Sequence, residues 1–156
     1  LAGLMDGEAY IGIKKSKPYN NLTRRVNPSY HERIQIRMVD EAAIKVLAQE
    51  LGGWYYKEKP SSRKGKPLYC YQASDKKAYK IIYKLLPFLI VKKQVAETVL
   101  KLRIEKDNPD KTGSSPHLED SNGTPMTGQR TTLSPEAIER RELLYQQCKT
   151  LNATGV

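Results

Sequence analysis

Hydrophobic positions along this chain recur with two different spacings, and the changes between them mark out its elements. A short apolar block, Leu1 to Gly7, reads as a helical end. After it Ala9, Ile11 and Ile13 alternate with Tyr10, Gly12, Lys14 and Ser16, the period of a half-buried strand. Lys17 to Ser29 holds Pro18, Asn20, Asn21, Asn27 and Pro28 and reads as a loop. A second strand follows, with Ile34, Ile36 and Met38 on one face and Arg33, Gln35 and Arg37 on the other. Asp40 is placed to cap a helix whose Ile44, Leu47, Ala48 and Leu51 fall at i, i+3, i+4 and i+7, and Gly52-Gly53 ends it. Trp54 to Lys59 and Leu68 to Ala73 form a strand pair around a turn at Ser61-Ser62-Arg63-Lys64-Gly65. Ser74 then caps a helix with Ala78, Ile81, Ile82 and Leu85 on one side, stopped near Pro87. The next helix runs from about Val91 to Lys106 on a stripe of Val95, Val99 and Leu102. Helix, two strands, helix, two strands, then helices is an α+β order with an antiparallel sheet.

Composition shifts sharply after that. Residues 107–132 are rich in Pro, Gly, Ser, Thr and Asn and read as a flexible linker between a core at 1–106 and a C-terminal helix at 133–152, with 153–156 as a tail. The last helix has a firm start: Ser134 at the N-cap, Pro135 at N1, Glu136 in the first turn, and Leu133 and Ile138 placed as a hydrophobic staple. Leu144, Cys148 and Leu151 give it a buried side. Leu1 is not an initiator Met, so the first helix is expected to begin upstream.

The 156 residues carry 27 Lys+Arg against 17 Asp+Glu, a formal charge of +10. That excess favours a polyanionic partner, nucleic acid ahead of an acidic membrane surface, although a merely soluble basic protein has the same balance. No apolar run approaches spanning length, so no membrane association is expected. Cys70 and Cys148 are far apart and suggest no disulfide framework, pointing to two reduced thiols in an intracellular protein. His31 and His117 are the only histidines, which argues against a hydrolase site built from several imidazoles.

The candidate chemistry lies at the amino terminus. Gly3 and Gly7 are four apart and share a helical face with Ala2 beside them, small enough for a second helix backbone to come close. Asp6 and Glu8 sit at the helix's C-terminal end, where the dipole disfavours negative charge. Two such helices crossed at their glycines would bring two Glu8 side chains together, and Mg²⁺ or another divalent cation is the hard-ligand remedy. An ordinary apolar helix with solvated acids is the plain alternative.

The run Leu1 to Ala9, LAGLMDGEA, resembles the LAGLIDADG motif of homing endonucleases, and the element order after it is similar to that fold, αββαββα with a twisted antiparallel sheet forming a DNA-binding saddle. Leu51 to Lys57, LGGWYYK, resembles the family's helix end and third strand. Leu86 to Lys92, LPFLIVK, looks like the segment that supplies its active-site lysine, and the helix through Leu151-Asn152 resembles the closing helix of single-motif members. One copy of the motif is present and no internal repeat, which implies the homodimeric group, with an interface at Ala2, Gly3, Asp6 and Gly7. The resemblance further implies that Glu8, with the Gly7 carbonyl, binds metal and that Lys92 stands near the scissile phosphate. It places Asp40 where some active relatives carry Gln, although an N-cap already has a structural task. Glu8 replaces the commoner Asp, keeping the charge on a longer arm, and Ala9 replaces the usual Gly.

Strand alternation supplies the expected DNA surface. Tyr10, Lys14 and Ser16, then Arg33, Gln35 and Arg37, then Tyr55, Lys57 and Lys59, and finally Tyr69 and Tyr71, are read as one outer face able to contact bases and phosphates. Glu32 and Glu58 are assigned the opposite parity. Lys15, Lys17, Arg24 and Arg25 extend the basic surface into the first loop. The expected function is thus a homodimeric, metal-dependent, site-specific double-strand DNA endonuclease of a mobile intron or intein-like element. It would work on a long pseudo-palindromic site, in a prokaryote or phage host or an organelle. A silent DNA-binding relative or an RNA-splicing maturase is the alternative.

Overall fold

The computed structural model describes residues 1–17, 27–59, 65–108 and 133–154. Its elements follow the expected order: α1 Ala2–Glu8, β1 Tyr10–Ser16, β2 Ser29–Met38, α2 Glu41–Leu51, β3 Trp54–Glu58, β4 Leu68–Ser74, α3 Asp75–Leu85, a 3₁₀ turn Leu86–Phe88, α4 Lys93–Asp107 and α5 Pro135–Thr154. The hairpin turn at 61–65, the loop arginines Arg24 and Arg25, the linker at 109–132 and the last two residues fall outside the described residues, apart from Gly65.

The four strands form one antiparallel sheet in the order β1-β2-β4-β3, so β2 and β4 are central and β1 and β3 are edges. Helices cover one face only. Ile11 and Ile13 of β1, Ile34 and Ile36 of β2, and Tyr71 and Ala73 of β4 point into the core, meeting Ile44 and Leu47 of α2, Ala78, Ile81 and Ile82 of α3, Val95, Val99 and Leu102 of α4, and Cys148 of α5. Burying each of these large side chains contributes roughly 1.5–3 kcal/mol. No described element covers the opposite face of the sheet, the arrangement an alternating strand pattern suits.

Local signals set the helix ends. Asp40 is extended, and its Oδ1 accepts hydrogen bonds from the backbone of Ala42 at 2.8 Å and Ala43 at 3.2 Å. Ser134 Oγ accepts from Ala137 N at 3.0 Å, the cap expected there. Ser74 departs from expectation. It stands at the N-cap of α3 but makes no side-chain cap bond, and Asp75 behind it takes a positive φ of 53°. The Asp75 carboxylate instead reaches His31 Nδ1 at 3.0 Å and Lys106 Nζ at 2.9 Å. That pair of ties holds a backbone conformation that Asp tolerates better than most residues.

Long-range polar contacts fasten α5 to the sheet's β1 edge. Asn152 Nδ2 donates to the Ile11 carbonyl at 3.0 Å, and Glu142 receives Lys15 Nζ at 2.8 Å and the Tyr30 hydroxyl. Beneath them lies a buried charge cluster. Glu32 is fully buried, with Lys106 Nζ at 2.8 Å from one oxygen and Arg103 Nε at 2.8 Å from the other. The Arg103 contact is charge proximity without hydrogen-bond alignment, since neither Arg103 Nε nor Glu32 Oε1 has a properly directed partner. Both cysteines are free and buried, and burial pushes the Cys148 thiol up to about 11. No helix among the described residues is long and apolar enough to cross a membrane.

Candidate nucleic-acid interface and acidic centre

At the carboxyl end of α1 the last carbonyls have no helical partner, and the dipole gives them negative character. Lys92 meets that need. Its Nζ donates to the Asp6 carbonyl at 2.5 Å and the Gly7 carbonyl at 3.1 Å. Asp6, expected in an interface between copies, is engaged within the chain. Its carboxylate accepts from the backbone N–H of Ile90 at 3.0 Å, Val91 at 3.0 Å and Lys92 at 2.8 Å, closing the approach to α4. Desolvation raises the Asp6 pKa, but those three N–H groups and the Lys92 ammonium outweigh it and hold the carboxyl below its ordinary value.

Glu8 is different. It is exposed, and among the described residues it has no hydrogen bond or ion pair. It stands at the negative end of the helix, one residue from a carbonyl that the Lys92 ammonium already holds. Gly3 and Gly7 are also exposed, and a Cβ built on either would meet nothing within 4 Å. No described residue covers that face of α1. The segment that Asp6 pins beside it is strongly apolar on its surface, with Phe88 67%, Ile90 84% and Val91 52% exposed. Sequence reading missed this patch because Leu86 to Val91 looks like ordinary core.

The described residues of one chain do not by themselves make a site for a divalent cation. Glu8 offers a free hard oxygen, but no group of three His, Cys, Asp or Glu that could hold a metal exists among the described residues.

On the uncovered sheet face, register decides which side chains share a surface. Arg33, Gln35 and Arg37 of β2 lie on it, opposite Gly12 and Tyr10 of β1 and Ser74, Gln72 and Cys70 of β4. Lys14, opposite His31, and Ser16, opposite Ser29, continue the same face. On β3 it is Trp54, Tyr56 and Glu58 that join, through Gln72, Cys70 and Leu68. The expected β3 and β4 residues are therefore corrected. Tyr55, Lys57, Tyr69 and Tyr71 have the other parity and lie on the helix side, and Lys59 lies past the end of β3. Tyr71 is fully buried with its hydroxyl donating to the Gly52 carbonyl at 2.7 Å, while Lys57 sits over the Tyr69 ring. Glu58, expected on the other side, shares the outer face and pairs with Arg37 at 2.8 Å, so that end mixes signs. Glu32 has the parity expected of it.

The corrected face is polar, aromatic and partly preset. Arg33 Nη2 donates to Gln72 Oε1 at 2.6 Å, Gln35 Nε2 contacts Cys70 Sγ at 3.0 Å, and Trp54 stacks on Tyr56 with ring centroids 5.0 Å apart. Tyr10 folds over Gly12, where a Cβ would stand 2.3 Å from its hydroxyl, so glycine is what lets this ring lie flat on the strand. Lys15, expected in the basic loop surface, has the core parity and is tied to Glu142.

No family model matches the sequence, and no curated protein matches it. Solved structures do. The homing endonuclease I-CvuI in complex with its target, in the presence of Ca, superposes with a TM-score of 0.67 at 16% identity over 96% of this chain and 78% of that one. An archaeal intron-encoded homing endonuclease, I-Vdi141I, complexed with DNA gives 0.64 at 14% identity over 96% and 80%. The LAGLIDADG homing endonuclease I-GzeII in complex with a DNA target gives 0.52 at 17% identity, covering 68% of this chain and 34% of that longer one.

Proposed function

We propose, for a chain that has the LAGLIDADG homing-endonuclease fold, that it is a site-specific DNA endonuclease working as a homodimer with divalent metal. The observation that carries the reading is the exposed Glu8, without a partner among the described residues and next in sequence to the Gly7 carbonyl held by Lys92, at the end of a helix whose Gly3/Gly7 face no described residue covers. Helix α1 of a second copy packed on those glycines would bring two Glu8 carboxylates together, and the apolar surface of Phe88, Ile90 and Val91 adjoins that seam. The two outer sheet faces would then lie on one duplex and read two half-sites, in keeping with neighbours solved on DNA.

Each residue has a distinct task. Glu8, with a second Glu8 and phosphate oxygens of the DNA, would hold the cation. Held there, it would supply Lewis acidity towards a phosphodiester. Lys92, fixed by two carbonyls, keeps a positive charge next to the scissile position, where negative charge grows during hydrolysis. Asp40 is assigned to capping α2, because its oxygen is already held by two N–H groups. Base reading falls to Arg33, Gln35 and Gln72, with Trp54, Tyr56 and Tyr10 supplying flat contact surface.

The test is selection of cut molecules from a random duplex library with Mg²⁺ and with chelator. Recovery of one long, two-fold-related site only with Mg²⁺ supports the reading. Retention of duplexes without strand breaks under both conditions would replace it with a silent DNA binder.

A further inference from the structure

The outward side of α3 carries lysines that the duplex-reading sheet face does not use. Lys76, Lys77, Lys80 and Lys84 are all exposed, and among the described residues none has a hydrogen bond or ion pair. Lys77 bends over Gly52 at the end of α2. The other three follow at i, i+4 and i+8, a single row with about 6 Å between successive positions. Like charges at this spacing repel and weaken the helix, so the row is stabilised by whatever negative charge settles on it. Nearby described acids do not neutralise it: Asp75 is held by His31 and Lys106, and among the described residues lining a groove of about 410 Å³ Glu50 is the one acid that faces the lysines.

Aromatic rings flank the row. Tyr79 and Tyr83 stack on each other with centroids 6.0 Å apart, and Tyr83 is 62% exposed. The far side of α3, through Ala78, Ile81 and Ile82, is buried against the sheet. The lysines and tyrosines therefore look away from the sheet, on the opposite side of the molecule from Arg33 and Arg37.

We infer that this face of α3 is a second nucleic-acid surface, for a single strand. Lys76, Lys80 and Lys84 track its phosphates, and the exposed Tyr83 ring accepts a base by stacking. A duplex offers phosphates but hides its base faces. An acidic peptide would leave the tyrosine pair without a task, and a lipid surface would find one large exposed apolar side chain on α3 to bury. The site is separate from the nuclease reading, since neither Glu8 nor the sheet's outer face takes part.

The test uses the full chain with fluorescent oligothymidine of about 20 nucleotides, and a duplex titrated in parallel. The variants are Tyr83→Ala and the triple Lys76→Gln, Lys80→Gln, Lys84→Gln, each with far-UV circular dichroism matching the parent. The triple variant is expected to lose at least about tenfold in single-strand affinity, with a salt slope flatter by about 2, at roughly 0.7 per phosphate contact. Tyr83→Ala should lose about tenfold, and duplex binding should hold in both. The inference is overturned if the triple variant binds single strands within about twofold of the parent, or loses duplex binding equally. It is also overturned if Tyr83→Ala has no effect while polyglutamate or phosphatidylserine vesicles bind through the same lysines.

Discussion

Glu32 brings a carboxylate into the core at a strand position whose neighbours Ile34 and Ile36 are apolar, and it survives there because Lys106 and Arg103 reach it from α4. Burying such charges is expensive, so removing one partner is worse than never having the set. Glu32→Gln should destabilise the fold by roughly 3–5 kcal/mol, read by denaturant melts, because Arg103 and Lys106 lose their buried counter-charge and keep only the more exposed Asp107 and Asp75. A more exposed acid behaves more gently. Lys15 first, then the Tyr30 hydroxyl and Gln146, hold the Glu142 carboxyl down to about 2 from 4.5. A depressed pKa means stability that is complete above about 4.5 and lost as pH falls towards 2. Glu142→Gln should therefore be less stable than the parent at neutral pH, by about 1 kcal/mol or less, and the gap should close near pH 2. A gap that persists at low pH would mean Glu142 acts through packing alone.

At the scale of elements, sequence reading succeeded where one face is plainly apolar and failed where both faces look alike. Ile11, Ile13, Ile34 and Ile36 declare their side, and so do the stripes of α2, α3 and α4. β3 offers Trp54, Tyr55 and Tyr56 in a row, and β4 offers Tyr69 and Tyr71 around Cys70, so alternation alone has two solutions. Pairing with β2 chooses between them, placing Cys70 opposite Arg37 and Gln72 opposite Gln35, and a shift of one residue reverses every side chain. Glu58 was misassigned for the same reason. The register gives a clean contrast. Gln72→Ala should change base preference at its position by about 1–3 kcal/mol, measured by cleavage or binding across single-base target variants, whereas Lys57→Ala should leave preference unchanged. Equal effects would mean that β3 and β4 are read from the wrong side. Of the acidic centre, the motif resemblance named the two segments that meet, since Lys92 Nζ donates to the Gly7 carbonyl next to Glu8 in sequence. The three N–H groups that hold Asp6 were not, because a contact 84 residues away in sequence leaves no local mark.

For the whole molecule, the layering of the described helices on one side of the sheet leaves two features that no other described element covers: the outer sheet face and the glycine side of α1. A formal charge of +10 suits the first to DNA, and the open glycines suit the second to another copy. Glu8 is proposed to serve the chemistry rather than the fold, because it is exposed and makes no bond to any described residue. The most direct measurement compares parent and Glu8→Gln on the selected target with Mg²⁺, recording binding and strand cleavage separately. The account predicts unchanged melting and binding, with cleavage lower by about 10²-fold or more. Cleavage at the parental rate by Glu8→Gln would contradict it.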